Sequence, residues 1–153
     1  MGMVLIDKFD GEYAFLSNFY NSPIEYQLTE YHAVMAPTVE HAFQAVKTLS
    51  IEEELDILKA PTPGQAKRLG RKCVLRKDWE DVKDKWMKYF LCEKFAIPEL
   101  RDKLLATGDA TLIEGTTWHD NYWGVCSCEK CDGRGKNRLG ELLMEIREEL
   151  REG

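Results

Sequence analysis

The 153-residue sequence has no apolar run approaching the roughly 18 residues that cross a membrane. Its start, MGMVLIDKFDGEY, lacks the basic-then-apolar layout of a secretory leader. Ile6 stands where N-myristoylation after Met1-Gly2 would need serine or threonine. No membrane partner is expected, and the cytoplasm is the expected location. Basic excess is missing as well. A net charge of −6 argues against a general nucleic-acid coat, which must contact many phosphates. Five cysteines is an odd number in a chain without an export signal, so a disulfide framework is not expected. There is no repeat, biased tract or linker. One domain over residues 1–153 is expected, long enough to bury about two-thirds of its unfolded surface.

What charge there is falls in groups. Lys67, Arg68, Arg71, Lys72, Arg76 and Lys77 form one basic group, and Arg134, Lys136 and Arg138 a second. Acidic residues gather at 52–56 and 141–152. Local basic groups on an acidic chain suit a small phosphorylated ligand better than a long polyanion, although a solvated basic face would read the same way.

The periodicity predicts a mainly helical α+β fold with a small N-terminal antiparallel sheet. VLI, PIEYQ and YHAVM are the expected strands, with a turn at Asp10-Gly11. Val39, Ala42, Phe43, Val46 and Leu49 recur at helical spacing behind Thr38 as N-cap. Ser50 and Glu53 have the form of a capping box ahead of Leu55 and Leu58. Thr62-Pro63 opens a helix through Arg71. Asp78 is placed to cap a helix through about Phe95 that buries Trp79, Val82, Trp86 and Phe90. Pro98 opens the next helix and Gly108 closes it. TLIE is a candidate strand. The last helix, from Asn137 to about Arg151, has Leu139, Leu142, Leu143, Ile146 and Leu150 on one face.

Three stretches carry chemistry. On the helix from Val39, the residues Glu40, Gln44 and Lys47 lie within about 60° of one another at roughly 100° per residue. A carboxylate, an amide and an ammonium on one face can border a cleft. Equally, Glu40 can answer the helix dipole while Lys47 is solvated. In HDNYWG, residues 119–124, Asp120 precedes a Tyr-Trp pair at the mouth of a glycine-bearing loop. Trp123, like Trp79, offers a flat face for a heterocyclic base or a large surface for the core.

The third stretch, WGVCSCEKCDGRGKNRLG, is not a Walker A loop. Lys130 stands where that motif has its first glycine, and Asn137 follows Lys136 in place of serine or threonine. Gly133, Gly135, Lys136 and Asn137 still lead into a helix N-terminus, where unpaired amides attract anions. Cys126, Cys128 and Cys131 are spaced for a metal such as zinc, and a closed site needs a fourth ligand. His119, Cys92, Cys73 and Asp132 can each supply it. The paired C-x-x-C spacing of zinc ribbons is absent, so free thiols are the other reading.

Taken in order, FLSNF (15–19), TVEHAFQAVK (38–47), Gly70-Arg71, LRKDWEDVKDKWM (75–87), DNYWG (120–124) and GKNRLGELLMEIRE (135–148) resemble the YbiA-like proteins, also called the NADAR family. The resemblance runs from about Phe9 to Leu150. It implies an N-glycosidase. Family members are associated with hydrolysing phosphorylated ribosylamino-pyrimidine intermediates of riboflavin synthesis, releasing ribose 5-phosphate. Others are associated with ADP-ribose, including its removal from guanine in DNA. A module that binds ADP-ribose or NAD without turnover is the third reading.

By this resemblance Glu40 and Asp120 are the catalytic carboxylates. Asn18, Lys47, Arg71, Trp79, Trp123, Lys136 and Asn137 hold the substrate, a phosphorylated nucleoside-like small molecule or an ADP-ribosylated nucleic acid. No cofactor is required, and any zinc is structural. The chain departs from riboflavin-linked members in a cysteine-bearing insert at about 125–134, where those have a plain glycine-rich segment. The shared chemistry therefore does not depend on the thiols.

Overall fold

The computed structural model describes residues 4–153, so the Met1-Gly2 start lies outside the described residues. In chain order the elements are β1 (Leu5–Ile6), a 3-10 helix (Gly11–Leu16), β2 (Ile24–Gln27), β3 (Ala33–Ala36), α1 (Val39–Ala45), α2 (Ile51–Leu58) and α3 (Pro63–Lys72). There follow α4 (Trp79–Phe95), α5 (Pro98–Ala106), β4 (Thr111–Leu112), β5 (Gly115–Thr116), β6 (Val125–Cys126) and α6 (Arg138–Glu152). About half of the residues are helical, and the sheets are small, which is the mixed, mainly helical class expected. No helix among the described residues is long and apolar enough to cross a membrane. The chain divides into two compact units, residues 18–96 and residues 1–17 with 97–153.

In the 18–96 unit, β2 and β3 form the expected antiparallel hairpin, Ile24 facing Ala36 and Tyr26 facing Val34. Alternation does the sorting: Ile24 and Tyr26 are buried while Glu25 and Gln27 are exposed. Tyr26 donates its hydroxyl proton to Glu54 of α2 at 2.8 Å. Three threonine and serine caps behave as the sequence suggests. Thr38, Ser50 and Thr62 accept from the backbone N–H of His41, Glu53 and Gln65, each worth about 1 kcal/mol. The capping box is only half made. Glu53 accepts from the Thr48 hydroxyl at 2.7 Å and from the Val74 amide, tying α2 to the segment after α3.

Helix α1 is the pivot of this unit. It packs against α2, α3, α4 and β3, and all seven of its residues are buried. An apolar stripe with a polar back predicts a surface helix; enclosure from every side leaves no solvated back. Leu49, expected on the buried stripe, is instead 71% exposed, because α1 ends at Ala45 and the chain turns before reaching it. His41 is held at both ring nitrogens: Nε2 meets the carbonyl of Ala60 at 2.9 Å, and Nδ1 meets the Thr38 hydroxyl at 2.9 Å. A carbonyl can only accept, so Nε2 carries the proton and the Thr38 hydroxyl donates to Nδ1.

Helix α4 runs as expected over Trp79–Phe95, with Trp79, Met87, Phe90, Leu91 and Phe95 buried. Asp78 does not cap it. Its carboxylate accepts from the Arg76 guanidinium at 2.6 and 3.1 Å. Val82 and Trp86, expected in the core, are half-buried and line an apolar groove of about 360 Å³ with Tyr26, Gln27, Lys85 and Tyr89.

In the second unit β1 does not join the N-terminal hairpin. It pairs in parallel with β4, Leu5 facing Thr111 and Ile6 facing Leu112, so of TLIE only Thr111–Leu112 is a strand, and Leu5–Ile6 of VLI is its partner. Helix α5 opens on Pro98 and ends at Ala106, and Gly108 just past it has the φ of 63° that suits a glycine there. Helix α6 packs on α5 and β4 through Leu139, Leu142, Leu143 and Ile146. Arg147 is buried there, donating to the Thr107 hydroxyl at 2.8 Å and the Ala110 carbonyl at 2.9 Å.

Candidate functional site

Enclosing α1 has a chemical result. Glu40 and Gln44, four residues apart on its polar face, are 7% and 3% exposed. A buried carboxylate is costly unless donors and opposite charge compensate it. Gln44 Nε2 donates to Glu40 Oε1 at 2.7 Å, and the Lys47 ammonium lies within electrostatic reach of Glu40. The backbone carbonyl of Asn18 accepts from the Glu40 amide at 3.1 Å, so the SNF segment sits on the first turn of α1. Asn18 Nδ2 points to Met87 Sδ at 3.5 Å. Among the described residues, Asn18 Oδ1 and Gln44 Oε1 are buried acceptors without a hydrogen-bond donor.

The Lys47 ammonium lies 5.9 Å from the Phe43 ring centre and 6.0 Å from that of Trp79. Those two rings pack against each other at 5.0 Å and 53°. Burial pushes the lysine below its ordinary pKa of 10.5; the Glu40 carboxylate opposes that shift, and the Lys67 and Arg71 cations add to it. Thus five of the expected residues belong to one neighbourhood: Asn18, Glu40, Lys47, Arg71 and Trp79. Trp79 is only 7% exposed, so most of its ring is a wall for Phe43 and Lys47.

Gln44 and Gly70 belong to this neighbourhood too. A Cβ at Gly70 would collide with the Gln44 side chain, so the Gly-Arg pair lets α3 approach the residue that orients Glu40. The spacing puts Gln44 on the face of Glu40, and the contact with Gly70 shows what holds it there.

The DNYWG segment is a cap for α6. The carbonyls of Asn121, Tyr122 and Trp123 accept from the amides of Lys136, Arg138 and Leu139 at 2.8, 3.0 and 3.0 Å. Asp120 Oδ1 accepts from the Trp123 amide at 2.9 Å and the Tyr122 amide at 3.3 Å, shaping the turn. The amides at 136, 138 and 139, near the start of this helix, are therefore used by the chain's own carbonyls and are not open to an anion. Asn137 is also engaged. Its Oδ1 accepts from the Glu114 amide and its Nδ2 donates to the Leu112 carbonyl, both at 2.9 Å. Gly124 and Gly135 face each other where a Cβ on Gly135 would strike the Gly124 carbonyl. The Tyr122 and Trp123 rings meet edge-on at 4.8 Å, and the Lys136 ammonium lies 5.5 Å from the Tyr122 ring centre.

Beside this loop, His119, Cys126, Cys128 and Cys131 converge, their ligand atoms all within 4.8 Å of one another. Of the four residues able to complete the cysteine set, His119 is the one in place. This cluster can hold a metal ion.

The NADAR domain profile matches residues 6–151. N-glycosidase YbiA of Escherichia coli K12 is 43% identical over 142 residues, covering 91% of this chain and 82% of that protein. An N-glycosidase of Nostoc punctiforme is 37% identical over 145 residues, covering 91% and 86%. A riboflavin biosynthesis protein of Vibrio vulnificus is 37% identical over 146 residues, which is 94% of this chain but 37% of that longer protein. The solution structure of E. coli YbiA matches with a TM-score of 0.77 at 39% identity, over 99% of this chain and 88% of that one.

Proposed function

The chain belongs to the NADAR family, and on that premise we propose that it is an N-glycosidase of one domain spanning both compact units. Its substrate is a phosphorylated ribosylamine of the kind formed in riboflavin biosynthesis, and one product is ribose 5-phosphate. The supporting observation is Glu40, a buried carboxylate oriented by Gln44 with a lysine alongside. Cleaving an N-glycosidic bond builds positive charge on the sugar, which a nearby carboxylate stabilises. Water adds to the anomeric carbon as the carbon–nitrogen bond breaks. Glu40 takes the proton from water, and the same proton, passed on directly or through solvent, ends on the leaving nitrogen and restores the carboxylate.

Lys47 and Arg71 hold the phosphate. Asn18, through its unsatisfied Oδ1, accepts from a sugar hydroxyl or base amine. Trp79 walls the Lys47 side, and Trp123 and Lys136 serve in substrate holding. Asp120 and Asn137 are assigned to the shape of the loop that presents Trp123, since their side chains already serve its backbone. No cofactor takes part, and the Cys/His cluster lies outside the chemistry as a structural metal site.

A second substrate, ADP-ribose on guanine or DNA, is favoured by Lys67, Arg68, Arg71 and Lys72, four cations on the ten-residue α3. The test is to offer both a ribosylamino-pyrimidine phosphate and an ADP-ribosyl-guanine oligonucleotide. Wild type is expected to release ribose 5-phosphate from the first. Glu40→Gln should lose about 10²–10⁴-fold in kcat with its thermal unfolding unchanged in character. Cleavage of the oligonucleotide alone would replace the substrate. Full activity in Glu40→Gln would remove Glu40 from the mechanism.

A further inference from the structure

We infer that His119, Cys126, Cys128 and Cys131 form a closed zinc site whose task is to clamp the two ends of the DNYWG loop. The donors are three sulfurs and one imidazole nitrogen, the set that selects tetrahedral zinc over oxygen-preferring cations. With zinc–sulfur bonds of about 2.3 Å, tetrahedral ligand atoms lie roughly 3.3–3.8 Å apart. His119 Nδ1 is 3.3 Å from Cys128 Sγ and 3.4 Å from Cys131 Sγ, and no pair exceeds 4.8 Å. Four protein donors leave no open position, so the site is structural.

The surroundings suit thiolates. Each of the three sulfurs accepts an N–H: Cys126 from the His119 amide at 3.3 Å, Cys128 from the Cys131 amide at 3.4 Å, and Cys131 from Asn121 Nδ2 at 3.5 Å. Donors of this kind stabilise the charged sulfur and fix its direction. The backbone is bent to deliver the ligands. His119 has φ 67°, and Asp132 and Gly133 after the knuckle have φ 49° and 77°. Cys126 is fully buried, paired through β6 to Thr116 of β5 and bridged to Arg134.

Position in the chain gives the site its purpose. His119 directly precedes Asp120, and Cys126 follows Gly124 by two residues, so one ion ties both ends of residues 120–124. Cys128 and Cys131 continue into the segment that starts α6. Asn121, whose carbonyl caps Lys136, also serves the Cys131 sulfur. Metal binding releases the thiol protons and orders the loop in the same step. The effect on turnover rests on the assignment of Trp123 to the substrate; the metal content does not.

The test uses full-length protein purified without chelator. Metal analysis should find one zinc per chain, and X-ray absorption an S₃N shell. Co(II) exchanged into the site should show thiolate charge-transfer and tetrahedral d–d bands. His119→Ala and Cys128→Ser should each weaken zinc binding by more than about 100-fold, the upper range for loss of an outer-shell partner. Chelation should abolish amide protection across 117–135 and raise KM, while α4 stays protected. A zinc-free wild type that takes up no Co(II), or a disulfide among the three cysteines, would overturn the site. Unchanged protection and KM after chelation would overturn the clamp. Zinc in a protein that cleaves neither substrate would remove the glycosidase reading and leave the metal site intact.

Discussion

Lys47 sits against two aromatic rings with a carboxylate near it and two cations beyond, and burial lowers its pKa from 10.5. The sign of the consequence follows. A lysine with a lowered pKa is charged below that value and neutral above it, so it grips a phosphate only on the acid side. KM for the phosphorylated substrate should therefore rise as pH climbs through the lowered pKa, before 10.5 is reached. Lys47→Arg keeps its charge across this range and should flatten the rise. Steady-state KM across alkaline pH for the two proteins measures it; identical profiles would take Lys47 off the phosphate.

At this scale the sequence showed residue types and helical faces but not partners. Glu40, Gln44 and Lys47 were legible as one face because spacing alone decides that. The partners of Asn137 were not, because they lie 23 and 25 residues away in sequence, whereas Asp120 bonds the amides two and three residues on, a turn its residue type allows. His119 could only be one of four candidates, because the fold alone decides which of them meets the cysteines.

Among the elements, α1 carries the proposed chemistry and α3 controls it through Gly70. A methyl group there must displace the Gln44 side chain. Gly70→Ala should lose about 1–3 kcal/mol of stability, the usual cost of overpacking, and should also lower kcat, because Gln44 orients Glu40. In a Gln44→Ala background the same change should be milder in urea unfolding. Equal penalties in both backgrounds would mean that Gln44 is not what Gly70 accommodates.

Helix boundaries were largely readable, since Thr38, Ser50, Thr62, Pro63 and Pro98 act through local hydrogen bonds and fixed φ. Two of the differing features are tertiary: β1 pairs with a strand more than 100 residues away, and α1 is buried on its polar face, and neither leaves a local pattern. The third is a local competition, in which the Arg76 guanidinium two residues back takes the Asp78 carboxylate from the helix start.

For the whole molecule, a net charge of −6 coexists with a basic α3 and a buried carboxylate in α1. Small anions with one or two phosphates fit that distribution better than long polyanions. Family membership was readable because six separated motifs occur in order, whereas the Cys/His cluster was not, because His119 joins the three cysteines only in the folded chain.

The proposed chemistry turns on Glu40 supporting attack of water on an anomeric carbon. Its most direct measurement is product mass spectrometry after turnover of a ribosylamino-pyrimidine phosphate in ¹⁸O-water, with wild type and Glu40→Gln side by side. One heavy oxygen is expected in the released sugar phosphate and none in the released pyrimidine amine, from wild type only. Heavy oxygen in the pyrimidine product, or equal release by Glu40→Gln, would contradict it.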